Sequence, residues 1–496
     1  MDLVSGLPDE LLCHILSFLP TKHAALTSVL SKRWFNLWKL VPNLDIDDTV
    51  FLHPEDGKGE REEIRHSFVS FVDSVLAMQG QSPIKSFSLK CITGVHPDTV
   101  NGWICNVLQR GVSELDLFTD FSDEDTEEDM YTLPKEMFLS ATLVKLKLRS
   151  ERCVSWWQSS LPMLKSLDID SDLVLFFADF EEIIPSFPVL EELRIANMEW
   201  HEFHITVSSA SLRKLSLHCT GCGGVVIPKS VSFDTPNLLS LNYSDFVAED
   251  YPLLNMENLL EARINFTVTD DQVKRVREPN NDEVLKFGNV VKLLNVIQNV
   301  QKLSLPSGTL EVLSLCTQSI PVFNNLKFLV VSSKEDRGWQ AMPVLLRNCP
   351  HLDSLIIEVE SYKPSRNYNN PQWFLPSQLR SCYSLIKPRK GLLHYVTDKC
   401  GDACPCIVRE DRGLSLTSCP VNWLEIRGFR ATMKEMAMIK HFLDYFPCLK
   451  RLDVFIEEND PTQLGNREVC KLIIEMFKLY NKLWPSCSVQ LLVAIS

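Results

Sequence analysis

One hexad recurs along most of the chain: an apolar residue, two variable positions, a second apolar residue, one variable position and a third apolar residue. It reads IKSFSL at 84, VSELDL at 112, LVKLKL at 143, LKSLDI at 164, LEELRI at 190 and LRKLSL at 212. It continues as LLSLNY at 238, LLEARI at 259, VQKLSL at 300, LKFLVV at 326 and LDSLII at 352. Successive starts lie 21 to 31 residues apart, except for one gap of 41. That gap contains the polar TVTDDQVKRVREPNNDEVL at 267–285, read as an exposed insertion. A unit of this size cannot cover its own apolar face, so neighbours must stack on one another.

A period in the twenties with this core is the mark of a leucine-rich repeat, one short strand and one return segment per turn. The fold class is therefore α/β, with the repeats stacked as a curved solenoid. LEVLSL at 310 also fits the hexad but follows its predecessor by only ten residues, so it is read as return segment. The asparagine or cysteine that usually follows the strand is mostly missing, which predicts irregular turns. The third and fifth positions of each hexad point away from the core onto the concave face. Most of these are polar and of mixed charge, with Asp116, Asp168, Glu192 and Glu261 interleaved among Lys145, Lys147 and Arg194. Such a face suits a protein partner, and Lys145, Lys147 and Arg194 are candidate contacts. Only the last two repeats turn apolar, through Phe328, Val330 and Ile356. Those three either anchor a partner or are covered by the C-terminal region; covering is the preferred expectation, because Trp423 sits at the equivalent place just downstream.

The net charge of −14, with 50 Lys and Arg against 64 Asp and Glu, argues against a nucleic-acid partner. No apolar run reaches the eighteen residues a membrane span needs. The start, MDLVSGLPDE, shows no secretory signal, so the sixteen cysteines are expected as thiols in cytoplasm and/or nucleus. The acidic DFSDEDTEED at 120–129 is read as a solvated loop.

Residues 7–38, LPDELLCHILSFLPTKHAALTSVLSKRWFNLW, crowd more apolar surface than so short a segment can bury. Pro8 suits a first helical position and Asp9 and Glu10 the positive end of the dipole. Leu11, Leu12, Ile15, Leu16, Phe18 and Leu19 cover an arc of about 160°, wider than the roughly 100° a surface helix turns to its core. Pro20 ends that helix, Thr21 caps a second and Ser31 a third, giving a three-helix module with apolar surface to spare. Here the sequence resembles the F-box, the segment by which substrate receptors dock on the adaptor subunit of SCF ubiquitin ligases. The resemblance covers about residues 5 to 45 and implies contact with the adaptor, and through it with cullin, by Leu7, Pro8, Leu11, Ile15, Leu16, Val29 and Trp34. Plant members usually carry an acidic residue where this chain has His23.

The hexad returns as VNWLEI at 421 and LKRLDV at 449. Between them Thr432 and Glu435 form a capping box, Met436, Ile439, Leu443 and Phe446 share one helical face, and Pro447 stops the helix. A further amphipathic helix, with Val469, Leu472, Ile473 and Met476, precedes a closing strand in CSVQLLVAI. This stretch resembles the FBD region of plant F-box/leucine-rich-repeat proteins, and the physical expectation is a unit that closes the open end of the solenoid. The expected division is 1–48 F-box, 49–80 helical linker, 81–360 leucine-rich repeats, 361–405 connecting segment and 406–496 FBD region.

No catalytic motif is found: no G-x-S-x-G, P-loop or H-E-x-x-H. CGDACPC at 400–406, with His394 nearby, lacks the spacing of a common zinc site, and CTGC at 219–222 follows a strand instead of opening a helix. The expectation is a chain that is not an enzyme, with no metal or cofactor. It would serve as the substrate-recognition subunit of an SCF ligase, binding a protein through its repeats. The alternative is a ligase-independent leucine-rich-repeat scaffold, and a small-ligand co-receptor is disfavoured because a phosphate site needs clustered Lys and Arg.

Overall fold

Every hexad except LEVLSL at 310 opens a strand at its third residue, because the alternation of apolar and variable positions that follows has the period of a β-strand. The computed structural model describes residues 7–51, 61–120, 133–150, 159–171, 183–198, 204–219, 229–267, 283–315, 320–334, 341–360, 419–457 and 467–494. The chain divides into two compact units, residues 1–202 with 207–220, and residues 203–206 with 221–496.

In the first unit, β1 (Asn43–Asp47), β2 (Ser86–Cys91), β3 (Glu114–Thr119), β4 (Lys145–Ser150), β5 (Ser166–Ser171) and β6 (Glu192–Met198) stand in chain order in one sheet. A short β7 (His204–Ser208) belongs to a second, small sheet, and β8 (Lys214–Cys219) pairs with β6. All pairings are parallel and in hexad register, so Ser86, Glu114, Lys145, Ser166, Glu192 and Lys214 form one rung. The fourth and sixth positions, such as Leu146 and Leu148, are buried, and so are the first positions, such as Leu143. Each buried side chain of this kind stabilises the stack by about 1.5–3 kcal/mol. At the eighth position, small residues such as Cys91, Thr119 and Ser150 are buried.

β1 was not expected. Its hexad, VPNLDI at 41, lies inside the segment assigned to the F-box, and Val41, Leu44 and Ile46 are buried as in every other repeat. Before it come α1 (Asp9–Leu16), α2 (Thr21–Leu26), a 3-10 turn at Thr27–Val29 and α3 (Trp34–Leu37). Three helices form as expected, but their caps differ. Pro8 is the residue before α1, with φ −57° and ψ 151°. Thr21 lies within α2 behind Pro20, and its hydroxyl accepts from the Asp45 amide at 2.8 Å, tying the module to β1. Ser31 does not cap α3, which begins after Arg33. The expected helical linker contains α4 (Arg61–Gln79), whose Gln79 side chain donates to the Val41 carbonyl at 3.1 Å. It packs on α5 (Pro97–Gln109) through Phe68 against Trp103, and Asp73 accepts from Trp103 Nε1 at 2.8 Å.

The second unit holds β9 (Ser230–Asp234), β10 (Ser240–Phe246), β11 (Leu254–Asn255), β12 (Glu261–Thr267), β13 (Lys302–Leu305), β14 (Phe328–Lys334) and β15 (Ser354–Glu360). Then come β16 (Trp423–Phe429), β17 (Arg451–Glu457) and β18 (Ser488–Ala494). β9 and β11 pair in the small sheet, while β10 and β12 through β18 are parallel neighbours in sequence. The segment at 310 lies in the helix Ser307–Leu315, as its reading as return segment requires. Its Gly308 is needed there, since a Cβ would stand 2.0 Å from the Phe266 carbonyl oxygen. The capping box is present, with Thr432 and Glu435 opening the helix Met433–Tyr445.

The C-terminal region extends the sheet instead of folding over it. β16 pairs directly with β15, and Trp423 stands beside Ser354 in the same rung. Phe328 stays 41% exposed, so the expectation that this region covers it is corrected; Val330 is buried and Ile356 half-buried. The physical reason is the hexad itself, which turns VNWLEI and LKRLDV into two more rungs. The connecting segment 361–405, CGDACPC with His394, nearly all of the acidic run, most of CTGC and most of the 267–285 insertion lie outside the described residues.

Candidate functional site

The apolar arc of the N-terminal module divides in two. Leu12, Leu16, Ala24, Trp34, Leu37 and Trp38 are buried in the module's own core and against the first strand. Leu11, Ile15, Phe18 and Leu19 of the same arc are exposed, together with Leu26, Val29, Leu30 and Phe35. Of the expected adaptor contacts, Pro8, Leu11, Ile15 and Val29 are therefore exposed and Leu7 half-buried. Leu16 and Trp34, at 1% and 6% exposure, are buried within the module and are not on its exposed surface. Burial selects them because α1 is amphipathic twice over, with one stripe facing inward and the adjoining one outward. Arg33 fixes the start of α1, donating through Nε to Asp9 at 2.8 Å. Lys22 donates to the Val50 carbonyl at 3.2 Å and lies over the Phe51 ring, while the neighbouring His23 is exposed. Phe18, Leu26, Leu30 and Phe35 were missing from the expected contacts; the signal for them was the excess of apolar residues over what so short a module can bury.

The other surface is the open face of the parallel sheet. In the first unit its basic residues are each paired with an acid one strand away. Lys145 lies 3.5 Å from Glu114 and Lys147 3.9 Å from Asp116, which also meets Arg149 at 3.4 Å. Arg194 reaches Asp168 at 2.6 Å and Asp170 at 3.1 Å, and Lys214 reaches Glu192 at 2.7 Å. Burial works against the charge of Arg194, yet its two carboxylates outweigh that and hold the guanidinium above its ordinary value. These pairs are solvent-screened and each contributes about 1 kcal/mol or less. Their effect is on recognition: Lys145, Lys147 and Arg194 form no free cationic patch. In the second unit, Phe328, Ile356 and Trp423 form a less polar strip that leads to Glu425 and Asp453. The last two were legible as fifth positions of returning hexads, but assigning those hexads to a separate cap hid them.

Among the described residues no group of three His, Cys, Asp or Glu side chains is arranged as metal ligands, and no helix is long and apolar enough to cross a membrane. A helical head with a spare apolar face, joined to a sheet built one strand per repeat, defines a docking-and-recognition protein. Family models agree: the F-box domain model matches residues 4–45, and the model of the leucine-rich repeats of an FBD-associated F-box protein matches residues 100–252. The chain is 62% identical to the F-box/LRR-repeat protein At3g58930 of Arabidopsis thaliana, over 99% of this chain and 98% of that protein. It is 60% identical to the F-box/LRR-repeat protein At3g58940 of the same plant, over 95% of this chain and 68% of that protein. It is also 53% identical to the F-box protein At3g03040, again from Arabidopsis thaliana, over 99% and 98% of the two chains. The chain belongs to the plant F-box/FBD/leucine-rich-repeat protein family. Membership carries the family's general role, that of an SCF adaptor and not an enzyme.

Proposed function

We propose that this chain is the substrate-recognition subunit of an SCF ubiquitin ligase, docking on the ligase's adaptor subunit through its N-terminal module and holding a target protein on the open face of its repeats. The observation that supports this most is the exposed apolar stripe of α1 and the following turn, with Leu11 at 49%, Ile15 at 44% and Val29 at 82% exposure. Removing such a patch from water is favourable at about 25 cal/mol per Å² of apolar surface, and a partner's helices are the natural cover. Ubiquitin transfer would be carried out by the ligase's other subunits. This chain would supply proximity, raising the effective concentration of the target near the charged conjugating enzyme. Its place is the cytoplasm and/or nucleus, with neither nucleic acid nor membrane as partner, and the division into F-box, linker, repeats, connection and FBD region is part of the same reading.

The test is co-expression of the full chain with the SCF adaptor, wild type beside Leu11→Asp/Ile15→Asp. Because both residues are exposed, the double variant is expected to melt like the wild type and to lose the adaptor on co-purification, while the wild type brings down adaptor and cullin. A well-folded wild type that retains neither would overturn the receptor reading and leave a ligase-independent scaffold, the direction in which exposed His23 leans.

A further inference from the structure

In the second unit, Glu425 and Asp453 occupy facing fifth positions of β16 and β17. Both acids are buried, at 6% and 1% exposure. Asp453 lies between Leu452 and Val454, which are in the core, so strand alternation turns its carboxylate to the open face. There Oδ2 accepts from Trp423 Nε1 at 3.1 Å and pairs with Arg451 Nε at 2.7 Å. The other oxygen, Oδ1, is buried and has no hydrogen-bond partner. Buried carboxylate oxygens are nearly always satisfied, so an orphan one on a recognition face marks a place kept for a donor. Arg451 lies over the Trp423 ring with its side chain 55% exposed, and a donor reaching the buried Oδ1 requires it to move aside.

The surroundings say what kind of donor. Across the rungs, Phe328 and Val330 lead to Ile356, then to Trp423 and Glu425, and end at Asp453. Glu358, Glu425 and Asp453 face Arg427 and Arg451, and Arg427 is already held between Glu358 at 3.0 Å and Glu425 at 2.5 Å. One carboxylate charge more than the local cations is left. An apolar strip that ends on an under-neutralised buried carboxylate beside an indole complements an apolar side chain followed by a cation.

We infer that this strip reads a segment of the target protein that carries a bulky apolar side chain and, a short distance along, a Lys or Arg. The inference rests on the receptor reading for the partner's being a protein. The apolar side chain lies on Phe328 and Ile356, and the cation meets Asp453 Oδ1 against Trp423. Neighbouring strands lie about 4.8 Å apart, so Ile356 and Phe328 are about 10 and 14 Å from the Asp453 strand. A segment crossing the strands in extended form spans that in about three or four residues.

The experiment pans a displayed library of random twelve-residue peptides against the purified full chain, then measures the most enriched peptide by titration. Apolar and basic residues three or four apart are expected to be enriched. Affinity is expected to fall at least about tenfold, the value of a charge-assisted hydrogen bond, in Asp453→Asn and again in Phe328→Ala. Should Asp453→Asn fail to fold, Phe328→Ala and Glu425→Gln decide the matter, since the first alters a side chain outside the core and the second preserves shape. Enrichment of acidic peptides, absence of any enriched peptide, or affinity unmoved by these variants would overturn the inference. The measurement needs no adaptor, so a failure to co-purify with the ligase overturns the receptor reading alone.

Discussion

At Gly428, β16 makes its bend with φ +74°, and a Cβ there would meet the Val359 carbonyl oxygen at 2.3 Å. Gly428→Ala is therefore expected to cost at least about 1–2 kcal/mol from the left-handed backbone alone, with the clash added, and a lowered unfolding midpoint in urea checks it. The cysteines give a second residue-scale test. Burial, with Asp48 nearby, pushes the Cys91 thiol up to about 12, and burial raises Cys419 to about 11. A thiol held this high stays protonated through pH 8, and the thiolate is the nucleophile. Native protein treated with iodoacetamide at pH 8 is expected to be labelled at exposed Cys448 and spared at Cys91 and Cys419, as peptide mass analysis would show.

Among the described residues, β18 is the last strand of its sheet and no strand pairs with its outer edge. Asn481, on the helix Arg467–Leu483, answers part of it: its side chain donates to the Val489 carbonyl at 2.7 Å and accepts from the Val489 amide at 2.9 Å. One side-chain amide thus stands in for the missing strand and guards an edge that could otherwise pair with another chain. Asn481→Ala is expected to lose about 1–3 kcal/mol locally and to speed hydrogen exchange at the Val489 amide, leaving the first unit's amides unchanged. The strands that open on a hexad were legible, because each hexad carries its own period and its own bounds, whereas β7, β9 and β11 of the small sheet carry no hexad and were not. The caps of α2 and α3 were not. Thr21 is drawn to the Asp45 amide, a partner 24 residues away that local capping rules do not see. β1 was not legible for a plainer reason: its hexad at 41 overlaps the segment, about residues 5 to 45, that resembles the F-box.

For the whole molecule, the charge of −14 and the pairing of open-face bases with acids one strand away act together. Polyanion binding needs unpaired cations whose condensed counterions can be released. The full chain is expected to pass unretained through immobilised heparin at 0.15 M salt, and retention there would contradict the reading of this face as a surface for proteins. The candidate sites were legible as faces and not as contacts. Periodicity placed Lys145, Lys147 and Arg194 on the open face correctly, but only the neighbouring strands show each of them neutralised.

What the sequence determined by itself is direction: within a strand or a helix, spacing decides which way each side chain points, and the hexads carried that information for every rung. What only the tertiary structure decided is company. Leu11 and Leu16 have the same chemistry on the same helix, yet one is exposed and the other buried, because α3 and the turn at Trp38–Leu40 lie against α1 on the Leu16 side. Phe328 remains open because β16 to β18 joined the sheet at its edge instead of covering its face. Asp453 has an orphan oxygen because its two donors approach from one side. Burial and pairing depend on segments distant in sequence, and no local pattern encodes where those segments come to rest.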